Sequence, residues 1–194
     1  MNQIRGIVFD LDGTLVTSSL DFNLIRSELD CPPEVDLLKY VEGLTSEQKI
    51  KAEGIIQKHE QEDAEQSEWL PGAQQFVERC IDCEMPLAIL TRNSEYSSNK
   101  KIEKNNIPIS LLFTRENSLP KPNPCALHEI AGLFSLPHQS ILMVGDYKYD
   151  LQAGRNANMP TCLVNYEGEP DYLHLADYRY SSFVQFHKEF FTVG

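Results

Sequence analysis

Two acidic residues follow the first apolar run of the sequence and lie only two positions apart. Residues 4–9 are typical of a buried strand, and Asp10 and Asp12 come directly after it. Ligands of open α/β sheets bind beyond the carboxyl ends of the strands, so a turn beginning at Leu11 could bring both carboxylates to one site. Neighbouring carboxylates repel each other, and such a site would need a cation or a shared proton. A turn with two solvated acids is the alternative interpretation, because Asp and Gly are common in turns.

Two later segments supply groups of the kind that bind phosphate. The apolar run 87–90 ends at Thr91, and a hydroxyl group at the start of a helix can help to bind an anion. An ordinary helix cap is the alternative there. Lys121 lies in a loop made rigid by Pro122 and Pro124, directly before another helix. A single Lys in a loop is more often a solvated charge, so neither residue identifies a site by itself.

A further acid ends another apolar run. Residues 141–144 are followed by Gly145 and Asp146, and Asp150 lies one helical turn further on. The carboxyl ends of parallel strands lie along one edge of a sheet, so these acids would join the earlier pair. The sequence therefore predicts acids, a hydroxyl group and an amine at a single sheet edge.

Apolar runs of strand length alternate with helical patterns along most of the chain. This alternation is typical of βαβ units and predicts an α/β fold, a Rossmann-like doubly wound parallel sheet covered by helices. The predicted strands are 4–9, 86–90, 111–113, 141–144 and 161–164, and the predicted helices between them are 72–83, 94–105 and 123–134. The aromatic residues of the tail from residue 166 onwards are irregularly spaced, and we expect them to serve packing.

One segment breaks the alternation, because residues 16–70 contain only helical patterns. We interpret this segment as a small α-helical cap inserted into a core that comprises residues 1–15 and 71–194. The predicted cap helices are 21–29, 35–41 and 46–69. Arg26 lies beside the apolar stripe of the first of these helices, where a long cation could reach over the entrance of the site. A solvated Arg whose stem covers the stripe is the alternative.

Taken together, these motifs closely resemble those of the haloacid dehalogenase superfamily of phosphohydrolases. Residues 10–15, D-x-D-G-T-L, match the family's first motif, and Thr91 matches the second. Lys121 with Pro122 matches the third motif, and residues 145–150, G-D-x-x-x-D, match the fourth. The helical insert lies between the first and second motifs, where the first class of caps occurs. The resemblance covers almost the whole chain and points to the branch of phosphoglycolate phosphatases and β-phosphoglucomutases.

The resemblance implies a Mg²⁺-dependent phosphatase that acts in two steps. Asp10 would attack phosphorus and form an aspartyl phosphate, while Asp12 would protonate the leaving oxygen and then activate water. Mg²⁺ would lie between Asp10, the backbone carbonyl of Asp12 and Asp146. The phosphate-binding residues would be Thr91, Arg92 and Lys121. Supporting roles are implied for Gly13, Thr14, Asn93 and Asp150.

The expected substrate is a small phosphorylated metabolite, which the sequence does not specify. We expect Arg26 to contribute to substrate selectivity, because the core motifs are all used on the phosphoryl group and the metal ion. A phosphomutase or phosphotransferase of the β-phosphoglucomutase kind shares all four motifs and stays an alternative. A phosphometabolite-binding module without catalysis is a second alternative. Dehalogenases of the superfamily lack an acid two residues after the nucleophile, so Asp12 argues against that chemistry.

Net charge and the distribution of apolar residues argue against nucleic acid binding, a membrane helix and a signal peptide. The net charge of −12 disfavours nucleic acid binding, which depends on clustered Lys and Arg. No apolar segment approaches the length of about 20 residues that a membrane helix needs. Residues 1–5 lack the basic region and the apolar run of a signal peptide, so we expect a cytoplasmic location. The oligomeric state is not predicted.

The five cysteines are irregularly spaced and predict no disulfide framework. Cys80 and Cys83 form a C-x-x-C motif late in a predicted helix, whereas a redox motif needs a helix N-terminus to lower the thiol pKa. No second pair of Cys or His nearby completes a zinc site. We therefore expect both residues to be buried or half-buried helix cysteines.

Overall fold

The computed structural model describes residues 3–192, and six parallel strands form its central sheet. The strands are β1 (Gly6–Phe9), β2 (Leu87–Leu90), β3 (Leu111–Phe113), β4 (Ile141–Gly145), β5 (Thr161–Val164) and β6 (Tyr178–Tyr180). Their order in the sheet is β3-β2-β1-β4-β5-β6, and each neighbouring pair is parallel. The order reverses between β1 and β4, which is where open α/β sheets bind their ligands.

Helices connect the strands and cover both faces of the sheet, which confirms the predicted Rossmann-like fold. The helices are α1 (Phe22–Glu28), α2 (Leu37–Glu42), α3 (Ser46–Gln66), α4 (Ala73–Asp82), α5 (Glu95–Asn105), α6 (Cys125–Phe134), α7 (Lys148–Asn156) and α8 (Phe183–Thr192). In the described part of the chain, no helix combines the length and the apolar character that crossing a bilayer requires.

Alternation along β1 shows how the two faces are built. Ile7 and Phe9 pack on one face with α4 and α8, whereas Val8 packs on the other face with α6. Successive side chains of a strand point to opposite faces, so a strand covered on both sides must be apolar throughout. All four residues of β1 are accordingly buried, and the acids begin only where the strand ends.

Helices α1, α2 and α3 lie together and have an apolar cluster of their own. Ile25, Leu37 and Ile56 are buried in this cluster, one from each helix. Two short backbone contacts close the base of the insert: Thr17 N donates to Glu68 O at 2.8 Å, and Leu70 N donates to Leu15 O at 2.9 Å. The division into a core of residues 1–15 and 71–194 and a cap of residues 16–70 stays our prediction.

The carboxyl-terminal part contains three elements that we did not predict, namely α7, β6 and α8. Strand β6 is short and carries a charged residue at its centre. The aromatic residues of α8 recur at helical spacing, as Phe183, Phe186, Phe190 and Phe191, so the expectation of irregular spacing was wrong for this segment. These aromatics do serve packing, as expected: Tyr180, Phe183 and Phe186 are buried in the core. Phe186 stacks on Phe76 of α4 with a centroid distance of 4.3 Å.

The predicted ends of the elements are close to those observed, with α3 as the main difference. This helix ends at Gln66 and not at Trp69, because Trp69 pairs with Val16 as an extended bridge where the chain returns to the core. The two motif cysteines differ from each other. Cys80 is buried, as predicted, and burial raises the pKa of its thiol, whereas Cys83 is exposed, so the prediction was wrong for that residue.

Candidate active site

The loop after β1 is fixed directly against the end of β4. Asp10 N donates to Val144 O at 2.9 Å, which sets the ends of the two strands side by side. Gly13 has φ +71°, a left-handed conformation that residues with a side chain rarely adopt. A Cβ atom at this position would overlap the carboxylate of Asp146. Thr14 lies behind the loop, and its Oγ1 donates to Asp146 Oδ1 at 3.0 Å.

A buried lysine lies between two of the acids. Lys121 Nζ is 2.7 Å from Asp10 Oδ1 and 2.5 Å from Asp150 Oδ1, and only 2% of the lysine side chain is exposed. Burial by itself would lower the pKa of Lys121, but the charges of both carboxylates outweigh it and the pKa is raised. The ammonium therefore stays charged next to Asp10. Tyr147 N donates to the second oxygen of Asp150 at 3.0 Å, which fixes that carboxylate in turn.

Asp10, Asp146 and Asp150 form a compact carboxylate cluster, with one oxygen of each within 4.8 Å of the others. Burial, followed by the charges of Asp150 and Asp10, raises the pKa of Asp146 well above its ordinary value. Burial and the charge of Asp10 raise the pKa of Asp150 to about 6, although Lys121 opposes this. The cluster thus has an excess of negative charge that a cation would relieve.

Asp12 turns away from this cluster toward α5. Asn93 Nδ2 donates to its Oδ2 at 2.7 Å, and Lys101 Nζ donates to its Oδ1. Burial raises the pKa of Asp12 to about 6, even though Lys101 and Asn93 favour the ionised form. A carboxyl group with a pKa near neutrality can both give and accept a proton, which suits general acid–base chemistry.

Thr91 is buried at the end of β2, where its Oγ1 accepts from Asn93 N at 3.2 Å. The same loop starts α5, and Ser94 Oγ caps that helix by accepting from Ser97 N at 3.3 Å. Ser94 N donates at 3.2 Å to Glu60 of the cap helix α3. The first turn of α5 is thus partly covered by a carboxylate of the protein itself.

Arg92 faces the cap. Its Nη2 donates to both oxygens of Asp36, at 2.8 and 2.7 Å, and its guanidinium lies 4.2 Å from the ring centroid of Tyr149. Partial burial would raise the pKa of Asp36, but the hydrogen bonds and the charge of Arg92 outweigh it and lower the pKa. A charged pair therefore joins the second-motif loop to the start of α2. The predicted role of Arg92 in phosphate binding stays a prediction.

Arg26 also lies in the wall of the site, but one nitrogen of its guanidinium already donates to backbone carbonyls of the cap. Its Nη1 donates to Val35 O at 2.6 Å and to Pro32 O at 3.0 Å. These bonds fix the loop between α1 and α2. The predicted role of Arg26 in selectivity stays a prediction, to which the structure adds this role in shaping the cap.

A cavity of about 600 Å³ lies between the sheet edge and the cap. Nearly all the predicted site residues line it: Asp10, Asp12, Gly13, Arg26, Thr91, Arg92, Asn93, Lys121, Asp146 and Asp150. Thr14 acts from behind through its bond to Asp146. The cap side of the cavity is largely apolar, with Leu20, Phe22, Ile25, Leu37 and Ile56 in its wall.

Sequence reasoning missed several residues at the site. Asp36 caps α2, which gives an Asp an ordinary local reason to occur there. Tyr149 lies within the fourth motif at a position that the motif leaves open. Lys101 lies in a polar helix, and its neighbour Lys100 is a typical surface residue. Only the fold reveals these three residues as parts of the site, because each reaches it through a contact distant in sequence.

The comparison with family models identifies the class of protein. The model of haloacid dehalogenase-like hydrolases matches residues 7–164, which span β1 to β5 and all four motifs. The chain therefore belongs to the haloacid dehalogenase-like hydrolase family and is an enzyme of that family.

Individual relatives agree with this assignment. A haloacid dehalogenase-like hydrolase domain-containing protein of Arabidopsis thaliana is 26% identical, over 86% of this chain and 73% of that protein. A phosphoglycolate phosphatase of Chromobacterium violaceum is 25% identical, over 86% of this chain and 87% of that protein. The crystal structure of a hydrolase from Pseudomonas syringae has the same fold, with a TM-score of 0.83 at 18% identity, covering 98% of this chain and 99% of that one.

Proposed function

We propose that this chain is a Mg²⁺-dependent phosphatase that hydrolyses a small phosphomonoester through an aspartyl phosphate on Asp10. The observation that carries the proposal is the group around this residue. Lys121 lies 2.7 Å from Asp10 Oδ1, and Asp146 completes a carboxylate cluster beside it. A carboxylate held by a fixed cation at a sheet edge is suited to attack phosphorus, and phosphoryl transfer depends mainly on such positioning and charge.

The remaining groups supply what the two steps require. Asp12 is held by Asn93 and Lys101, and its pKa of about 6 suits a residue that gives a proton to the leaving oxygen and then takes one from water. Thr91 and Lys121 are the nearest candidates to bind the phosphoryl oxygens. Thr91 follows β2, the strand that pairs with β1, and Lys121 lies beside Asp10 at the end of β1.

The carboxylate cluster fits Mg²⁺. All its side-chain donors are oxygens, which Mg²⁺ prefers. Burial, and after it the charges of Asp150 and Asp10, raise the pKa of Asp146, and a divalent cation would offset both effects. We propose that Asp10, Asp146 and the backbone carbonyl of Asp12 hold the ion, while Asp150 supports Lys121 and the cluster. When bound, Mg²⁺ supplies charge neutralisation and orients the phosphoryl group.

The cavity supports a small substrate. Its volume of about 600 Å³ includes the space for the phosphoryl group, and the cap side offers mainly apolar contacts. Phosphoglycolate is one candidate, because the Chromobacterium violaceum relative is a phosphoglycolate phosphatase. The carboxylate of such a substrate would have to compete with Asp36 for Arg92. No nucleic acid partner is expected, and the cytoplasmic location stays a prediction.

A phosphate-release assay on a panel of phosphorylated metabolites, with Mg²⁺ and with EDTA, tests the proposal. We expect release that requires Mg²⁺ and that Asp10→Asn abolishes. A phosphomutase would instead convert a sugar phosphate into its isomer and release little phosphate. A binding module would bind members of the panel, release no phosphate from any of them, and behave alike with or without the Asp10 carboxylate. Either of these two results would overturn the proposal.

A further inference from the structure

A buried lysine outside the four motifs contacts the proposed acid–base residue. Lys101 lies on α5, and its side chain is fully buried. Its Nζ donates to Asp12 Oδ1 and, at 2.5 Å, to Asp63 Oδ2. Asp63 belongs to the cap helix α3. One ammonium group therefore joins the core acid to the cap.

The charges of this group hold it together. Burial alone would lower the pKa of Lys101, but the charges and hydrogen bonds of Asp12 and Asp63 outweigh it and raise the pKa. A buried charge is tolerated only when it is paired, so the ammonium needs both carboxylates and each of them needs the ammonium. Without Lys101, the buried carboxylate of Asp63 and the half-buried carboxylate of Asp12 would have no cation between them.

Asp63 also fixes the segment that leads from the Asp12 loop into the cap. Ser18 Oγ donates to Asp63 Oδ2 at 3.1 Å. Ser19 donates twice to Asp63 Oδ1, through its backbone N at 2.5 Å and its Oγ at 3.0 Å. The position of Asp63 is thus tied to the first connection between the core and the cap.

Helix α5, which carries Lys101, also contacts the segment in which the chain returns from the cap to the core. Lys104 Nζ donates to Ser67 O at 2.5 Å, and Asn105 Nδ2 donates to Ser67 Oγ at 3.1 Å. Helix α5 therefore contacts the chain where it returns from the cap, as well as Asp63 beside the outgoing segment. A change in the position of the cap would act on the group around Lys101 directly.

We propose that Lys101 is a positioning residue for Asp12, and that Asp63 makes this positioning depend on the placement of the cap. Asn93, a core residue, holds one oxygen of Asp12, and Lys101 holds the other. A cap moved away from the core would take Asp63 from Lys101 and release the second oxygen from its fixed place. This inference rests on the proposed function, because the acid–base role of Asp12 is part of it.

A misplaced Asp12 should slow the two proposed steps differently, depending on the leaving group of the ester. In the first step, the bond from phosphorus to the leaving oxygen breaks, a bond from phosphorus to Asp10 forms, and the proton of Asp12 goes to the leaving oxygen. A p-nitrophenolate leaving group needs no such proton, whereas an alkoxide does. In the second step, a water oxygen forms a bond to phosphorus, the bond from phosphorus to Asp10 breaks, and phosphate leaves. Asp12 takes a proton from that water, whatever the original ester was.

The test compares Lys101→Met with Lys100→Met. Lys100 is the next residue on the same helix and pairs at 2.6 Å with Glu65 of the same cap helix, but it contacts the cap only at the surface. For Lys101→Met, we expect kcat/KM to fall roughly a hundredfold for an alkyl phosphate and less than about threefold for p-nitrophenyl phosphate. We also expect a burst of p-nitrophenolate in the first turnover, because hydrolysis of the phosphoenzyme is slowed. Lys100→Met should show neither effect.

A second variant tests the same positioning role if Lys101→Met does not fold. Asp63→Asn retains the size of the side chain and leaves Lys101 in place, and we expect the same dependence on the leaving group with a smaller loss. Equal losses on both esters without a burst, or the same pattern in Lys100→Met, would overturn the positioning role. Failure of the unchanged enzyme to release phosphate from any ester would instead overturn the proposed function, and this inference with it.

Discussion

Replacing Asp146 with Asn should make the metal-free protein more stable. The amide has nearly the same shape as the carboxylate, and its oxygen can still accept from Thr14 Oγ1, which now donates at 3.0 Å. What the change removes is one negative charge from the cluster of Asp10, Asp146 and Asp150. The free energy of unfolding without metal should therefore rise, although the residue is part of the proposed active site.

The size of the effect follows from the spacing of the acids. At 4.8 Å, the upper limit of the distances between the oxygens of the cluster, two carboxylates repel each other by about 3.5 kcal/mol at an effective dielectric constant of about 20, and by about 1 kcal/mol in bulk water. Asp146 is partly exposed, and Lys121 offsets some of the repulsion. We expect a gain of about 1–2 kcal/mol, or roughly 2–8 °C in Tm for a chain of this size.

The gain should depend on pH in a defined direction. The pKa of Asp146 is raised in the folded state, so between the ordinary and the raised value the folded protein binds more protons than the unfolded chain. The free energy of unfolding of the wild type therefore falls as the pH rises from the ordinary pKa of Asp146 through the raised one. The advantage of Asp146→Asn should thus be largest at neutral to alkaline pH and vanish near pH 4.

Urea unfolding in EDTA and in millimolar Mg²⁺, at several pH values, measures these effects. Magnesium at 100 times its dissociation constant should stabilise the wild type by about 2.7 kcal/mol and the variant far less. Asp82→Asn is the matched control, because it removes one charge at an exposed position at the end of α4. A metal-free Asp146→Asn protein that is less stable than the wild type, or that gains equally from Mg²⁺, would refute this reasoning.

Three further substitutions test the other assignments. Asp10→Asn should lower kcat at least about a thousandfold and leave the circular dichroism spectrum unchanged; a comparable kcat would exclude Asp10 as the nucleophile. Gly13→Ala should weaken Mg²⁺ binding, measured by calorimetry, because its Cβ would overlap Asp146; unchanged affinity would count against the predicted ligand set. Arg26→Ala should lower kcat/KM for the best metabolite but hardly for p-nitrophenyl phosphate, and equal losses on both would indicate that Arg26 only shapes the cap.

The part of the site that lies at strand ends could be predicted from the sequence. Asp10, Thr91 and Asp146 each follow an apolar run, and the topology of a parallel sheet brings such positions to one edge. Short apolar strands carry this information locally. The meeting of these side chains at one edge of the sheet could therefore be predicted without any tertiary contact.

The contacts between the core and the cap could not be predicted in the same way. Lys101 and Asp63 are 38 positions apart, and each occurs in a helix rich in charged residues, where most charges are solvated. Arg92 and Asp36 are separated by 56 positions. Pairing at this distance depends on how the helices of residues 16–70 pack against the rest of the chain, and the pattern of a single sequence does not show it. For a related reason β6 was missed, since its pairing with β5 and not its composition makes it a strand.

Locating the phosphoryl group during turnover tests most directly whether Asp10 is the nucleophile. A radiolabelled phosphomonoester is mixed with excess enzyme and Mg²⁺, the reaction is quenched in acid, and the label bound to the protein is counted. A parallel sample with unlabelled ester is reduced with borohydride, which expels the phosphate and converts the phosphorylated Asp into homoserine, and mass spectrometry locates that residue. We expect label on Asp10 and none in EDTA or in Asp10→Asn. With p-nitrophenyl phosphate, whose leaving group needs no proton, we expect label to accumulate in Asp12→Asn, because hydrolysis of the intermediate is slowed. Full turnover without a labelled enzyme, or label on another residue, would contradict it.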